Sequence, residues 1–247
     1  TYIPELKRIY AVGVSIGLTA QVSYSTDGGV TWTAVGSLDP SLVYYNRAEF
    51  AYSPVYGTLV VTGSSPSVSS GFATFYSTDL GITWTLSNIG YTQLGVSSYG
   101  SVRWVEEYGE SGLFVLMAST NSVDISTLNR SIMLSADGKS WQGAPSLAGT
   151  LGTQFSVSAS QVYGHAYDQS TKTMCIGVRN TTPSTSTSIF YTQDGYNWLS
   201  SNTHKTNIRT LRFVKNDTTL APNAYINFTY NAGSQLTAIL NVGNWTM

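Results

Sequence analysis

Four cationic side chains raise the first chemical question. Arg47, Arg103 and Arg209 each stand near the start of a short apolar segment, and His165 takes the matching place in a fourth. Where such segments converge on one axis, the four make a cationic ring. Close by lie Tyr45, Tyr99 and Tyr163, in stretches rich in Ser, Gly and Asn. Rigid aromatic area beside adaptable hydrogen-bonding groups is binding chemistry. Stacked Tyr rings with Asn or Arg donors would suit a carbohydrate. Glu49 follows Arg47 by two positions, so on a strand the two share a face and pair with each other.

Other chemistry is excluded more simply. His165 and His204 are the only histidines, and neither has metal-ligand spacing. Cys175 is the only cysteine, which excludes an intrachain disulfide and a Cys-based zinc site. Its flanks, "KTMCIGVR", read as a buried strand, so it is expected as a small core hydrophobe. There is no glycine-rich phosphate loop and no Gly-x-Ser-x-Gly elbow. No cofactor and no metal are expected.

The elements that must position these residues come from a repeat. Trp32, Trp84, Trp141, Trp198 and Trp245 follow one another at steps of 52, 57, 57 and 47 residues, with Trp104 outside the series. Steps of this size point to propeller blades or similar arrays. Four of the five share a local pattern. Ser25-Thr26-Asp27-Gly28-Gly29-Val30-Thr31-Trp32 is matched by Ser77 to Trp84, and one residue shorter by Ser135 to Trp141 and Thr192 to Trp198. The acids at its third position are Asp27, Asp79, Asp137 and Asp194. Each unit reads as four short strands separated by Ser, Gly and Pro turns, and no segment holds a 3.6-residue period.

The expected fold is therefore all-β, a five-bladed β-propeller of four-stranded antiparallel blades in one domain spanning 1–247. The blades run roughly 1–37, 38–88, 89–146, 147–202 and 203–247. A four-bladed propeller plus a hairpin is the alternative. "YSPVYGTLVVTG" at 52–63 lies over "YIPELKRIYAVG" at 2–13, so the first blade is expected to lack most of its innermost strand within this chain. Thr1 is not a natural start, and the chain is expected to be part of a longer one.

The pattern Ser-x-Asp-x-Gly-x-Thr-Trp resembles the Asp-box, or BNR, repeat of the sialidase-like β-propellers, whose members include bacteriophage virion proteins. Its physical account is local. The Asp accepts backbone N–H groups within the turn, the Gly takes a backbone angle other residues resist, and the Trp buries its ring against hairpin and neighbouring blade. The Asp and Trp residues of the four copies are read as structural. Resemblance to sialidases implies three arginines gripping a carboxylate, a Tyr with a Glu partner, and an acid/base Asp. No Tyr–Glu pair can be assigned from the sequence, and about five blades replace the sialidase's six.

Composition frames the function. Charged residues are only 10% of the chain and the net charge is −1, so neither nucleic acid nor an anionic membrane is indicated as a partner. No apolar run reaches the ~18 residues of a membrane span. By strand parity the Asp turns share one face, and the long Ser- and Tyr-rich loops share the other. The reading that follows is a non-enzymatic propeller on a virion surface, a phage tail or capsid appendage. It would recognise host-surface carbohydrate or a receptor through Tyr45, Tyr99, Tyr163, Arg47, Arg103, His165 and Arg209. Other virion proteins are expected partners, with a homo-oligomer such as a trimer as one assembly. The alternatives are a purely structural docking or capping module and a glycoside hydrolase of sialidase type.

Overall fold

The computed structural model describes residues 1–13, 20–38, 49–64, 72–88, 96–120, 132–143, 161–179, 187–200, 208–213, 227–231 and 235–240. Nineteen strands among them form five sheets in chain order. The first holds β1 (Tyr2–Ile3), β2 (Arg8–Gly13), β3 (Gln21–Ser25) and β4 (Thr33–Ser37). The second holds β5 (Glu49–Ser53), β6 (Thr58–Ser64), β7 (Phe72–Ser77) and β8 (Thr85–Leu86). The third is β9 (Val96–Val105), β10 (Leu113–Thr120), β11 (Ile132–Ser135) and β12 (Gln142–Gly143). The fourth is β13 (Gln161–Asp168), β14 (Thr173–Arg179), β15 (Thr187–Thr192) and β16 (Leu199–Ser200). All four are antiparallel meanders, and β1 has only two residues. A single 3-10 turn, Pro4–Leu6, joins β1 to β2.

The fifth sheet departs from the expected meander. β17 (Ile208–Phe213) pairs in parallel with β19 (Gln235–Leu240), which pairs antiparallel with β18 (Asn227–Asn231). Residues 214–226 separate β17 from β18. A connection of that length does not oblige successive strands to pair as a tight hairpin does, and it leaves room for a parallel partner. A fourth strand, expected of each blade, would fall after β19, where residues 241–247 lie outside the described ones.

The sheets pack face to face, and strand alternation explains why central strands such as β10 bury apolar residues on both faces. On β10, Phe114 and Leu116 join Ala51, Val60, Met133 and Trp141 in a cluster between the second and third sheets. The intervening Leu113, Val115 and Met117 join Leu134, Met174, Ile176 and Phe190 between the third and fourth. One strand thus feeds two cores, because successive side chains leave opposite faces of a sheet. Tyr10, Val22, Phe50, Val61 and Phe75 fill the corresponding layer between the first and second. A strand buried on both faces carries no polar alternation, as in β6 with Leu59, Val60 and Val61 all buried. Cys175 is a free buried thiol in this setting, its pKa pushed up by burial to about 12.

The four Asp turns join the last two strands of their sheets and hold themselves together. In the first, Ser25 Oγ donates to Asp27 Oδ1 at 2.8 Å and accepts from Gly29 N at 2.8 Å. Asp27 accepts from Thr31 N at 2.9 Å and from Thr31 Oγ1 at 2.5 Å. These bonds, the Thr31 hydroxyl first, hold the Asp27 carboxyl down at about 2. Asp79 repeats the set with Ser77 and Thr83. Asp137 and Asp194 meet the one-residue deletion by accepting from the amides two and three positions on. In every copy the Trp indole N–H donates to the carbonyl three residues back, at 2.9–3.1 Å.

Three of the turns also dock on the preceding sheet. Tyr10 donates its hydroxyl to Leu80 O, Ser87 to Gly138 O, and Tyr108 to Thr192 O. Among the described residues the first turn makes no such bond to another sheet. Trp32 is accordingly 46% exposed, whereas Trp141 and Trp198 are 5% and 1% exposed. For Trp32 the expectation of a ring buried against a neighbouring blade is corrected.

Candidate functional site

The innermost strands of successive sheets meet around a cavity of about 490 Å³. It is lined from β5 by Glu49 to Tyr52, from β9 by Val102 to Trp104, and from β13 by His165 and Tyr167. Glu5, Glu106, Glu107 and Gln169 continue the lining into the segments that follow β1, β9 and β13. That is the same end of the sheets as the Asp turns, whereas the sequence placed binding at the opposite end.

Strand period builds the chemistry. Ser101 and Arg103 stand two apart on β9 and so share a face; His165 and Tyr167 do the same on β13. The two pairs meet across the gap between sheets. Ser101 Oγ lies 3.1 Å from His165 Nε2, and the Arg103 guanidinium sits over the Tyr167 ring, 5.0 Å from its centroid. From the other side, Glu49 on β5 accepts the Ser101 hydroxyl at 2.5 Å. With that proton committed to Glu49, His165 Nε2 carries the hydrogen of its contact to Ser101. A line of hydrogen bonds thus runs from His165 through Ser101 to Glu49, one residue from each of three sheets.

A second group lies beside it. Tyr167 donates its hydroxyl to Glu107 Oε2 at 2.6 Å, and its ring meets Tyr108 edge-on at 5.9 Å. Burial and then the bond to Glu107 raise the Tyr167 pKa, so the phenol stays protonated and Glu107 acts as acceptor. Burial lowers the pKa of Arg103, while Tyr167, Glu49 and Glu107 act to raise it. Burial also lowers that of His165, opposed by Glu49 and reinforced by Arg103. The imidazole is therefore neutral near pH 7.

The sequence-predicted residues divide as follows. Arg103 and His165 both line the cavity. Arg103 stands near the end of β9 rather than its start, because β9 begins at Val96, within a segment read as a loop. For the same reason Tyr99 lies in β9 and Tyr163 in β13, not in interblade loops: Val96, Gly100 and Gln161 are already paired with the next strand. Arg209 is in β17. Tyr45 and Arg47 lie outside the described residues. Glu49 is held by Ser101, 52 positions away, where the sequence suggested Arg47. Tyr167 and Glu107 form a Tyr–Glu hydrogen bond that the sequence reading did not find. The alternation of Ser101 with Arg103 and of His165 with Tyr167 on two innermost strands could have shown which side chains share a face, but Glu107, beyond the end of β9, carries no such signal. Among the described residues no group of three or more His, Cys, Asp or Glu is arranged to hold a metal ion.

No family model matches the sequence, and no curated protein does. Solved structures do show similarity. The intramolecular trans-sialidase from Ruminococcus gnavus is 15% identical with a TM-score of 0.43, over 78% of this chain and 43% of its own. The exo-β-1,3-galactanase from Clostridium thermocellum is 13% identical with a TM-score of 0.40, over 82% of this chain and 48% of its own. A family 43 glycoside hydrolase from Bacillus licheniformis is 12% identical with a TM-score of 0.41, over 79% and 39%. This chain spans less than half the length of each. The expectation of a non-enzymatic virion-surface module for glycan attachment is corrected on this finding. The neighbours named are a trans-sialidase, a galactanase and a family 43 glycoside hydrolase.

Proposed function

We propose that the chain is a glycoside hydrolase whose reaction centre is the cavity between the innermost strands, built on Asp-box repeats. The observation that carries the reading is the pairing of Glu107 with Tyr167 beneath Arg103, in one cavity with the Glu49–Ser101–His165 line. Glycoside cleavage needs two carboxyl groups, one protonating the leaving oxygen and one ionised toward the anomeric carbon. Glu107 is the ionised member: it accepts from Tyr167 and faces the Arg103 charge. Glu49 is the proton donor. Once it has given its proton to the leaving oxygen, the Glu49 carboxylate is held by the Ser101 hydroxyl, itself held by His165 Nε2–H, and takes its proton back from the water that attacks the anomeric carbon. Tyr167 holds Glu107 and, with Arg103, faces the charge that develops on the sugar ring.

A panel of fluorogenic α- and β-glycosides tests the reading. The wild type is expected to release fluorophore from at least one, and Glu107→Gln and Glu49→Gln each to lower kcat by about 10²–10⁴ with unchanged circular dichroism. Full activity in either variant, or no release from any glycoside, would overturn it.

A further inference from the structure

The two sides of the cavity differ in chemistry. Arg103, Glu107 and Tyr167 lie where the third sheet meets the fourth. The side toward the first sheet carries the rings of Tyr2 and Tyr52. Strand β5 joins the two, because alternate side chains leave its opposite faces. Glu49 turns toward Ser101 on β9, whereas Phe50 and Tyr52 turn toward the cluster that holds Ile3 and Tyr10. Tyr2 is fixed by its neighbours along the chain. Thr1 N donates to Tyr10 O at 2.8 Å, Thr1 Oγ1 accepts from Phe50 N at 3.2 Å, and Ile3 is buried. The Tyr2 side chain itself is 57% exposed. Among the described residues neither the Tyr2 nor the Tyr52 hydroxyl has a hydrogen-bond partner.

We infer that Tyr2 and Tyr52 form a stacking site for a second sugar unit, the one released as the leaving group, so that the substrate is a chain of pyranose units and not a single capped sugar. The inference rests on the hydrolase reading above for the direction of the chain. In that reading Glu49 protonates the leaving oxygen, and Glu49 stands on the strand that also presents Tyr52. Glu107 acts on the anomeric carbon from the third sheet. A scissile bond laid between the two carboxyls therefore points its leaving unit toward the first and second sheets. What that unit meets is ring surface. A pyranose carries C–H groups on its faces and hydroxyls round its edge, so a face packs on an aromatic ring while the edge stays free to hydrogen-bond. Rigid Tyr rings supply that area at low cost in conformational entropy, and each brings an open hydroxyl for the sugar's edge. Size agrees. A hexose of about twelve non-hydrogen atoms, each taking no more than the ~30 Å³ of a liquid water, fills at most ~360 Å³. The cavity holds about 490 Å³, so one unit does not fill it.

Titration calorimetry on the full chain carrying Glu107→Gln, which keeps the probes whole, compares β-linked trisaccharides of the gluco, galacto, manno and xylo series with the methyl glycosides of their single units. At least one trisaccharide is expected to bind about tenfold more tightly than its monomer, as contact with two rings allows. Adding Tyr2→Ala should cut that preference about threefold, and Tyr2→Ala with Tyr52→Ala should abolish it, with the monomer bound as before. Tyr2→Phe should keep most of it, because the ring carries the contact. If the variant with both Ala changes does not fold by circular dichroism, Tyr2→Ala decides alone, since Tyr2 is exposed. No trisaccharide preference in any series, a preference unchanged by Tyr2→Ala or surviving in the folded double Ala variant, or equal losses in Tyr2→Phe and Tyr2→Ala would each overturn the inference. The hydrolase reading fails separately. A trisaccharide preference lost with the two rings, without turnover of any glycoside by the wild type, supports the stacking site and refutes the reaction; turnover with no trisaccharide preference does the reverse.

Discussion

Trp32 and Trp198 occupy the same place in the same turn, yet their removal should cost very different amounts. Each indole N–H donates to the carbonyl three residues back at 3.0 Å, so the local bond is matched. The surroundings are not. Trp198 is 1% exposed and packs in the cluster with Tyr108, Leu134 and Phe190; Trp32 is 46% exposed. A fully buried Trp removes roughly 150–250 Å² from water, worth ~4–6 kcal/mol at about 25 cal/mol per Å². Truncation to Ala in a core typically costs ~3–5 kcal/mol. Trp198→Ala also leaves the Gly195 carbonyl without its donor in a dry site, adding about 1 kcal/mol. At Trp32 about half the transfer term is absent, no closed cavity forms, and water replaces the lost donor. The expected cost is ~2–3 kcal/mol.

Urea titrations followed by circular dichroism would read the two values. Heating should show them too, at about 2–4 °C per kcal/mol for a chain of this size. If Trp198→Ala does not fold, Trp198→Phe substitutes for it, with an expected loss near 2 kcal/mol. Equal costs at the two positions would refute the reasoning, because they would mean that the shared turn, not the sheet it rests on, sets the contribution of the ring.

Three further outcomes follow from the same geometry. Gly138→Ala places a Cβ 2.5 Å from Val60 Cγ2 at a φ of +77°, whereas Gly28→Ala at +76° meets nothing within 4 Å; the first should cost ~3 kcal/mol and the second ~1, read by urea titration. His165 has a folded pKa below its ordinary 6.5, so as pH falls through 6.5 the unfolded chain gains a proton that the folded one does not. Stability should therefore decline below pH 6.5 and less steeply in His165→Gln, read as the difference in ΔG of unfolding between pH 7 and 5. Ser101→Ala cuts the bond to Glu49 and the contact to His165 at once; with Glu49 as the acid that Ser101 holds, it lowers kcat by about tenfold with little change in KM, and the basic limb of the pH–rate profile should shift where a merely structural loss would not.

What was legible in the sequence is what is local. The Ser-x-Asp-x-Gly-x-Thr-Trp turn declares itself because its bonds close within four residues, as from Ser25 to Gly29 and from Asp27 to Thr31. In the four antiparallel meanders the outer hairpins follow from short turns, while residues 65–71, 121–131 and 180–186 join the middle strands over greater lengths and the strand pattern alone indicated their pairing. The fifth sheet was misread where residues 214–226 stand in place of a short turn. The start of β9 was misread because Val96 to Gly100 carry Ser and Gly, which read as loop even where the backbone pairs with β10. The site was the least legible part. Its contacts join residues 52, 60 and 64 positions apart, and each depends on how one sheet is rotated against the next. No spacing rule in a single sequence encodes that rotation. Glu49 was read beside Arg47, which lies outside the described residues; its partner Ser101, 52 positions away, could not be read from spacing.

This difference in range divides the molecule's tasks. An Asp turn satisfies its own amides, so the turn's own bonds do not depend on how the sheets pack. The cavity has no such independence. Glu49, Ser101 and His165 come from three sheets, and what sets their distances is the packing of Val60, Phe114 and Met133 on one side of the third sheet and of Val115, Leu134 and Ile176 on the other. A volume error in either layer shifts one innermost strand against the next. A shift near 1 Å at the 2.5 Å contact of Ser101 with Glu49 breaks the line of hydrogen bonds. Gly138, whose carbonyl accepts from Ser87 and whose Cα faces Val60, sits on the first of these layers. The Ala variant there should lose activity out of proportion to its stability, while Gly28→Ala, outside both layers, should lose only stability.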